Sequence, residues 1–547
     1  MIGRPLPSAP LLLVLACITG SDVAAQDIPS FLEEAQAAGI DHVYDGPWEY
    51  FVGGGVAAFD CNGDRMPDLA FAGGVGQARL FINRSPAGGR LSFAERPDAL
   101  PESARSRVTG LYPVDLNNDG ILDLVVLRVG ENILLKGGPD CTFERANRLF
   151  AFDGGRAWTT AFAATFEADR TFPTLAFGNY VDRSAPGAPW GTCHDNVLSR
   201  PAPGSEAANP DYSEPQILSP GFCSLSLLFT DWNRSGVPAL RISNDRHYYR
   251  DGQEQMWRLD PGRPARPYRS ADGWKAMRIW GMGIAEADLD ADGFPEYALT
   301  SMGDTKLQTL DDEAEETRPS YRDIAFERGA TAHRPYTGSD LKPSTGWHAE
   351  FADMNNDGRL DLFIAKGNVE QMPDFAAFDP DNLLLGQADD RFVEVGDRAG
   401  LALDRRGRGA ALADLNADGM LDLVVVNRAA PVSLFRNKGA STAFGTRPMG
   451  NWLQVELRQP KVNRFAVGAL VTVKTGNETR VRKVQVGGGH ASGRLGFLHI
   501  GLGTAERAEI RIKWPDGAWS APYRVFANSF VVVERDDSTA RYWLPAP

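Results

Sequence analysis

Asp353-Met-Asn355-Asn-Asp357-Gly-Arg-Leu-Asp361-Leu-Phe-Ile364 is an acidic loop that runs directly into a short apolar segment. Oxygen-bearing side chains stand at positions 1, 3, 5 and 9. The same pattern, Asp-x-Asn/Asp-x-Asp-x-x-x-Asp/Glu, recurs four more times. The copies are Asp60-Cys-Asn62-Gly-Asp64-Arg-Met-Pro-Asp68 and Asp115-Leu-Asn117-Asn-Asp119-Gly-Ile-Leu-Asp123, then Asp288-Leu-Asp290-Ala-Asp292-Gly-Phe-Pro-Glu296 and Asp414-Leu-Asn416-Ala-Asp418-Gly-Met-Leu-Asp422. Several oxygens at fixed spacing suit a hard cation, and calcium is the usual occupant. Glycine at position 6, present in four copies, allows the backbone turn such a loop needs. An EF-hand would run to a Glu at position 12 between helices. Here the loop closes at position 9, and runs such as Leu122–Leu127, Leu360–Ile364 and Leu421–Val426 read as strands. The loop is therefore expected inside a β-hairpin. Asp, Asn and Gly also make ordinary turns, but a turn needs one or two such residues, not four at one spacing in five places.

Working outward, neighbouring loops are separated by 55, 65 and 61 residues, a period near sixty. The 173 residues between Asp115 and Asp288 leave room for two further units. One is legible at Asp231-Trp-Asn233-Arg-Ser235-Gly-Val-Pro-Ala239, which lacks the acid at position 9. The other, Phe166 to Gly178, keeps only the flanking strand pattern. The last unit reads as four strands: Phe392–Val395, Gly409–Asp414, Leu421–Val426 and Ser433–Arg436. Seven four-stranded units of fixed period predict an all-β, seven-bladed β-propeller over residues 26–447. A single unit cannot bury its own apolar faces, so the array is the folding unit.

From residue 448 to 540 the acidic loops stop. Trp452–Leu457, Gly468–Val473, Arg480–Val486 and Glu509–Trp514 alternate apolar and polar residues. They predict a small β-sandwich or barrel, with Phe530–Val533 as its final strand.

Arg4, the apolar run Leu11–Ile18 and Val23-Ala-Ala25 read as a secretory signal peptide cleaved after Ala25. The run is too short for a transmembrane helix, and no later stretch could span a bilayer. Val14-Leu-Ala-Cys17 faintly resembles a lipoprotein box, so anchoring at Cys17 is the minor alternative. Cleavage leaves four cysteines, an even number in an oxidising compartment. Three pairings are possible. Cys193 with Cys223 would close the Pro- and Gly-rich stretch from Asp182 to Ser224, and Cys61 with Cys141 would tie the first two units. Five calcium ions would bring the formal charge of −14 to about −4. Metal sites thus account for much of the acidity, which argues against a nucleic-acid partner.

The loops and their strands resemble the FG-GAP or VCBS repeats of integrin-alpha-type propellers. Asn451-Trp-Leu, Asn463–Ala469, Val486–Gly489, Leu498–Gly503 and Trp514-Pro-Asp-Gly517 resemble the ASPIC/UnbV domain. The order of the two is similar to that of the cartilage acidic protein family and its bacterial relatives. The resemblance implies about five calcium sites. The side chains at positions 1, 3, 5 and 9 of each intact loop would be ligands, joined by the position 7 carbonyls of Met66, Ile121, Phe294, Arg359 and Met420. No ion is expected near residue 166, and at best a weak one at Asp231.

Seven histidines are scattered without a His-Glu-x-x-His or Gly-x-Ser-x-Gly arrangement. His490 follows Gly487–Gly489, read as a tight turn, and His499 reads as a packed strand residue. No catalytic residue is assigned and no enzyme activity is expected. The leading expectation is a secreted calcium-binding module for an extracellular protein or glycan. A lectin-like propeller is the alternative, although tryptophans do not recur at the repeat period. An extracellular hydrolase is a weaker one. Asn83-Arg-Ser85 and Asn477-Glu-Thr479 fit the glycosylation pattern.

Overall fold

The structure, a computed structural model, describes residues 26–185, 192–203, 208–245, 252–275, 277–311 and 318–546. The signal peptide with Cys17, Trp190, His247 and most of the acidic run 311–316 lie outside the described residues. Strand pairing among these residues forms seven four-stranded antiparallel units. Their innermost strands are Val56–Phe59, Val108–Val114, Thr159–Thr165, Ser224–Thr230, Gly281–Ala287, Ser344–Ala352 and Gly407–Ala413. Each touches the next, and the last touches the first, so the units stand in a closed ring. The fold is a β-propeller. Each sheet is covered on both faces, which explains why Val108–Val114 and Thr159–Thr165 are buried along their whole length.

Each acidic loop joins the first and second strands of its unit. Val108–Val114, for example, pairs with Asp123–Arg128 across the Asp115 loop. The expected phasing of the units is corrected by one strand. Phe392–Glu394 pairs with Asn382–Gly386 and is the outer strand of the preceding unit. The outer position of the last unit is filled by Pro29–Glu33, antiparallel to Ser433–Thr442, with Glu33 opposite Phe435. Glu34 anchors this join through both oxygens to Arg436, each at 2.9 Å. The two ends of the ring are thus hydrogen-bonded within one sheet, and the ring cannot open without breaking that sheet.

The Pro- and Gly-rich stretch from Asp182 to Ser224, which reads in the sequence as a long insertion, is not one. It contains two strands of its own unit, Asn196–Ser199 and Gln216–Leu218. Cys193–Cys223 and Cys61–Cys141 are both disulfides. The second joins the Asp60 loop to the outer edge of the neighbouring unit.

The C-terminal region is a sandwich of two four-stranded sheets. Phe530–Val533 is not its final strand. It lies in Ser529–Glu534, parallel to Asn451–Arg458, and Arg541–Trp543 forms the edge beside it. The Arg480 strand ends at Lys483, after which the chain leaves the sandwich and enters the centre of the propeller.

The segment from Gln485 to Leu495 meets every unit of the ring. Val486 O accepts from Ala164 N, Gly488 N donates to Leu227 O, and Gly489 N donates to Ile284 O. His490 N donates to His348 Nδ1 at 3.1 Å, and Ala491 O accepts from Leu111 N. Ser492 Oγ accepts from Val56 N and packs on Gly409. Gly493–Leu495 then adds a parallel strand to Val56–Phe59. The tight turn expected at Gly487–Gly489 is therefore a plug. Gly489 has φ +55°, and a Cβ there would lie 2.2 Å from the His348 ring. Only glycine fits both conditions.

Candidate functional site

The five loops share one backbone path. Positions 4 and 6 are both left-handed. Position 4 is Asn118, Ala291, Asn356 or Ala417 at φ +54 to +60°, and position 6 is a glycine at φ +82 to +94°. In the Asp60 loop the order is reversed, with Gly63 at position 4 and Arg65 at position 6, φ +65°. The side chains at positions 1, 3 and 5 stabilise this path by accepting from nearby N–H groups. Position 5 accepts from position 7 in every copy: Met66 N to Asp64 at 2.8 Å, Ile121 N to Asp119 at 3.0 Å, Phe294 N to Asp292 at 2.6 Å, Arg359 N to Asp357 at 2.9 Å and Met420 N to Asp418 at 2.9 Å. Position 1 accepts from position 6 at Arg65, Gly120, Gly358 and Gly419. At position 3, Asn62, Asn117, Asn355 and Asn416 each donate to the position 5 carboxylate.

Position 9 does more than close the loop. Asp361 accepts from Met354 N at 2.7 Å within the loop and from Gly386 N at 2.9 Å on the third strand. Asp68 spans Cys61 N and Asn83 N, Asp123 spans Leu116 N and Gly137 N, and Asp422 spans Leu415 N and Asn437 N. Glu296 accepts from Leu289 N and from Thr309 Oγ1. Each of these carboxylates ties the hairpin loop to the next strand of its own sheet.

Donors remain fewer than lone pairs. Asp115 Oδ1, both oxygens of Asp288 and Asn416 Oδ1 are buried with no hydrogen-bond partner. Oxygens of Asp288, Asp290 and Glu296 lie within 4.8 Å of one another. Burial, reinforced by neighbouring carboxylates, pushes Asp115 and Asp288 up to about 6, Asp68 and Asp353 to about 7, and Asp123 and Glu296 to about 8. Asp60, Asp361, Asp414 and Asp422 are raised for the same reason. Buried carboxylates with unused lone pairs are the donor set a divalent cation takes. Cys61, Asp68 and Cys141 also converge, but the two sulfurs are bonded to each other and offer no thiolate.

Of the two remaining units, the first supplies its own cation. Glu167 is buried and held by Arg200, Nε to Oε1 at 2.8 Å and Nη2 to Oε2 at 2.9 Å, with Thr174 Oγ1 donating at 2.5 Å. In the Asp231 unit the turn survives, with Gly236 N donating to Asp231 at 3.0 Å. Asp231 Oδ1 is buried with no hydrogen-bond partner, and Lys483 reaches in from the sandwich to Phe229 O of this unit at 3.0 Å while pairing with Glu286 Oε1 of the next unit at 2.7 Å. The lost acids of these units are visible in the sequence, but Arg200 as the partner of Glu167 is not, because the two are distant in the chain.

The loops lie beneath the sandwich. Gln454 donates to Asp414 at 2.7 Å, His499 bonds Asn356 at 2.7 Å, and Arg480 donates to Gly358 O at 2.8 Å. Arg65 pairs with Glu456 at 2.8 Å, and Arg464 donates to Asp119 O at 2.8 Å. Arg482 is deeply buried towards Asp353 and Asp288, and burial pulls it down to about 10. A cavity of about 1030 Å³ separates the two domains around the plug. His490 is fully buried between Gly53 N and Leu225 O, and burial depresses it to about 3. Trp158, Trp232 and Trp347 are buried and form no surface platform. Asn83 is buried too, its amide donating to Pro67 O and Leu415 O, so it is no glycosylation acceptor in the folded chain.

Residues 60–126 match the FG-GAP-like repeat family and residues 459–540 match the ASPIC and UnbV family. Cartilage acidic protein 1 of Mus musculus is 29% identical over 244 residues, 43% of this chain and 34% of that protein. The Homo sapiens protein is 31% identical over 173 residues, 30% of this chain and 24% of that one. The matched segments span about a third or less of these relatives. Among solved structures, BBS1N in complex with ARL6DN is similar at TM-score 0.40 and 9% identity, covering 77% of this chain and 99% of that one. Sqt1 of Saccharomyces cerevisiae is similar at TM-score 0.40 and 11% identity, covering 76% and 100%. The chain thus carries FG-GAP-like repeat and ASPIC and UnbV sequence on a β-propeller joined to a β-sandwich, and part of its length is similar to cartilage acidic protein 1.

Proposed function

We propose that this protein is a calcium-stabilised extracellular binding module for protein or glycan, without catalytic activity of its own. The observation that carries the metal reading is the set of buried, unpartnered loop oxygens at Asp115, Asp288 and Asn416. Positions 1, 3, 5 and 9 of the five loops would hold the ions, with the position 7 carbonyls completing each set as the family resemblance implies. Bound calcium would neutralise carboxylates that burial otherwise drives towards protonation. Because the loops carry the sandwich, metal would also fix the two domains against each other. The two disulfides fit an oxidising compartment.

Calorimetric calcium titration of chelator-stripped mature protein, with melting curves alongside, tests this reading. About five sites and a clear rise in melting temperature are expected. No binding and no shift would reduce the loops to turns and end the proposal. A hydrolase panel on the calcium-loaded protein is expected to be negative.

A further inference from the structure

The ends of the inner strands opposite the acidic loops form the other mouth of the ring. There, Arg405, Arg406 and Arg428 gather around a pocket of about 420 Å³, with Lys342, Glu370 and Phe375 in its wall. Fully buried Arg408 lies directly behind it. Its guanidinium donates only to carbonyls, those of Phe51, Gly407, Asn368 and Val369, and stacks 4.1 Å from the Trp347 ring. Four arginines therefore sit together with Lys342 against three carboxylates, Glu370 and Asp404 in the pocket wall and Asp45 at 4.0 Å from Arg428. Glu370 pairs with Arg406 at 2.9 Å and with Arg428. Arg405 bonds Ser433 Oγ at 2.8 Å and has no carboxylate within ion-pair distance among the described residues, although its charge reaches Asp381. This excess of positive charge stands out on a chain of net charge −14.

We propose that this pocket binds a saccharide residue carrying a carboxylate or sulfate group within an acidic polysaccharide. Arginine forks match planar and tetrahedral oxyanions by paired hydrogen bonds. The volume suits one or two sugar rings rather than a folded partner. Phe375 supplies an apolar wall beside the charged one, as sugar recognition requires. The proposal names the ligand class of the binding-module reading and rests on it. It does not depend on the calcium loops, which lie at the other end of the strands.

The test is calorimetry on the mature, calcium-loaded chain with three probes of equal length: a sulfated heparin hexasaccharide, an oligogalacturonate and uncharged maltohexaose. Either acidic probe is expected to bind and maltohexaose is not. The preferred acidic probe identifies the oxyanion. The Arg405→Gln/Arg406→Gln variant, checked for an unchanged melting temperature, is expected to weaken binding at least tenfold. Glu370→Gln frees two arginines and is expected to strengthen it severalfold. Arg507→Gln/Arg511→Gln on the sandwich is the charge-matched control, expected to have no effect. Absence of binding to both acidic probes overturns the proposal, as does binding that survives the double variant unchanged. A neutral glycan or protein partner found instead would leave the binding-module reading standing and remove this one alone.

Discussion

The Asp353 loop and the Glu167 segment occupy the same place in their respective units and bury acidic groups by opposite means. Asp353 and Asp361 lie among carboxylates that the nearby Arg482 and Arg480 only partly offset, without an ion pair, and burial raises both. Glu167 is equally enclosed, but Arg200 grips both its oxygens. One solution leaves its charge to a cation from solution, and the other carries the cation in the chain. The difference teaches that this ring has two classes of joint. Five should respond to metal and at least one should not.

Four expected outcomes sharpen or break that comparison. The largest is removal of calcium. With dissociation constants of roughly 0.1–1 mM against about 1 mM calcium, each site contributes about 0.4–1.4 kcal/mol, so five contribute about 2–7 kcal/mol. Chelator should lower the melting temperature by several degrees, and added calcium should restore it. A melting curve indifferent to chelator would erase the distinction.

Next is Arg200→Met, which leaves the buried Glu167 carboxylate with Thr174 Oγ1 and only the more distant Arg170, 3.7 Å away. A loss of about 3–5 kcal/mol is expected, equal with and without calcium. The double variant with Glu167→Gln should recover most of it. If denaturant melts show the Arg200 loss changing with calcium, the two classes are not separate.

Asp361→Ala removes the acceptor for Met354 N and Gly386 N together, at about 2–4 kcal/mol. It should also remove one calcium site from the calorimetric count. Asp361→Asn keeps one oxygen acceptor and should cost less. A full complement of ions in the alanine variant would make position 9 a structural staple alone.

The smallest effect concerns the plug. Burial depresses His490 to about 3, against an unfolded value near 6.5. The fold holds the neutral ring, so its contribution is complete above about pH 6.5. It is lost as pH falls towards the folded value, by about 1 kcal/mol at pH 5.5. In calcium-loaded protein, His490→Gln should flatten that part of the stability profile. An unchanged slope would mean the plug loosens before the ring protonates.

Much of this was legible in the chain. Oxygen ligands at fixed spacing and the apolar runs after them show hairpins, a repeat and a sheet-built ring, because both turn chemistry and strand burial are local. The disulfide partners were also reachable, since each pairing closes a stretch between neighbouring units. Three features were not. The phase of the last unit depends on Pro29–Glu33, some 400 residues from its partner strand. The glycine run at Gly487–Gly489 reads as a turn anywhere else, and only the ring around it makes it a plug. Arg200 looks like any surface arginine until Glu167 stands beside it.

By itself the sequence determined the β architecture, the five acidic loops and the change of domain near residue 450, since periodicity, carboxylate spacing and turn residues act over a few residues. The tertiary structure alone decided how the ring closes, what fills its centre, and which carboxylates are matched by the chain's own arginines and lysines. Those outcomes depend on hydrogen bonds and ion pairs between segments hundreds of residues apart, and burial alone gives such contacts their strength.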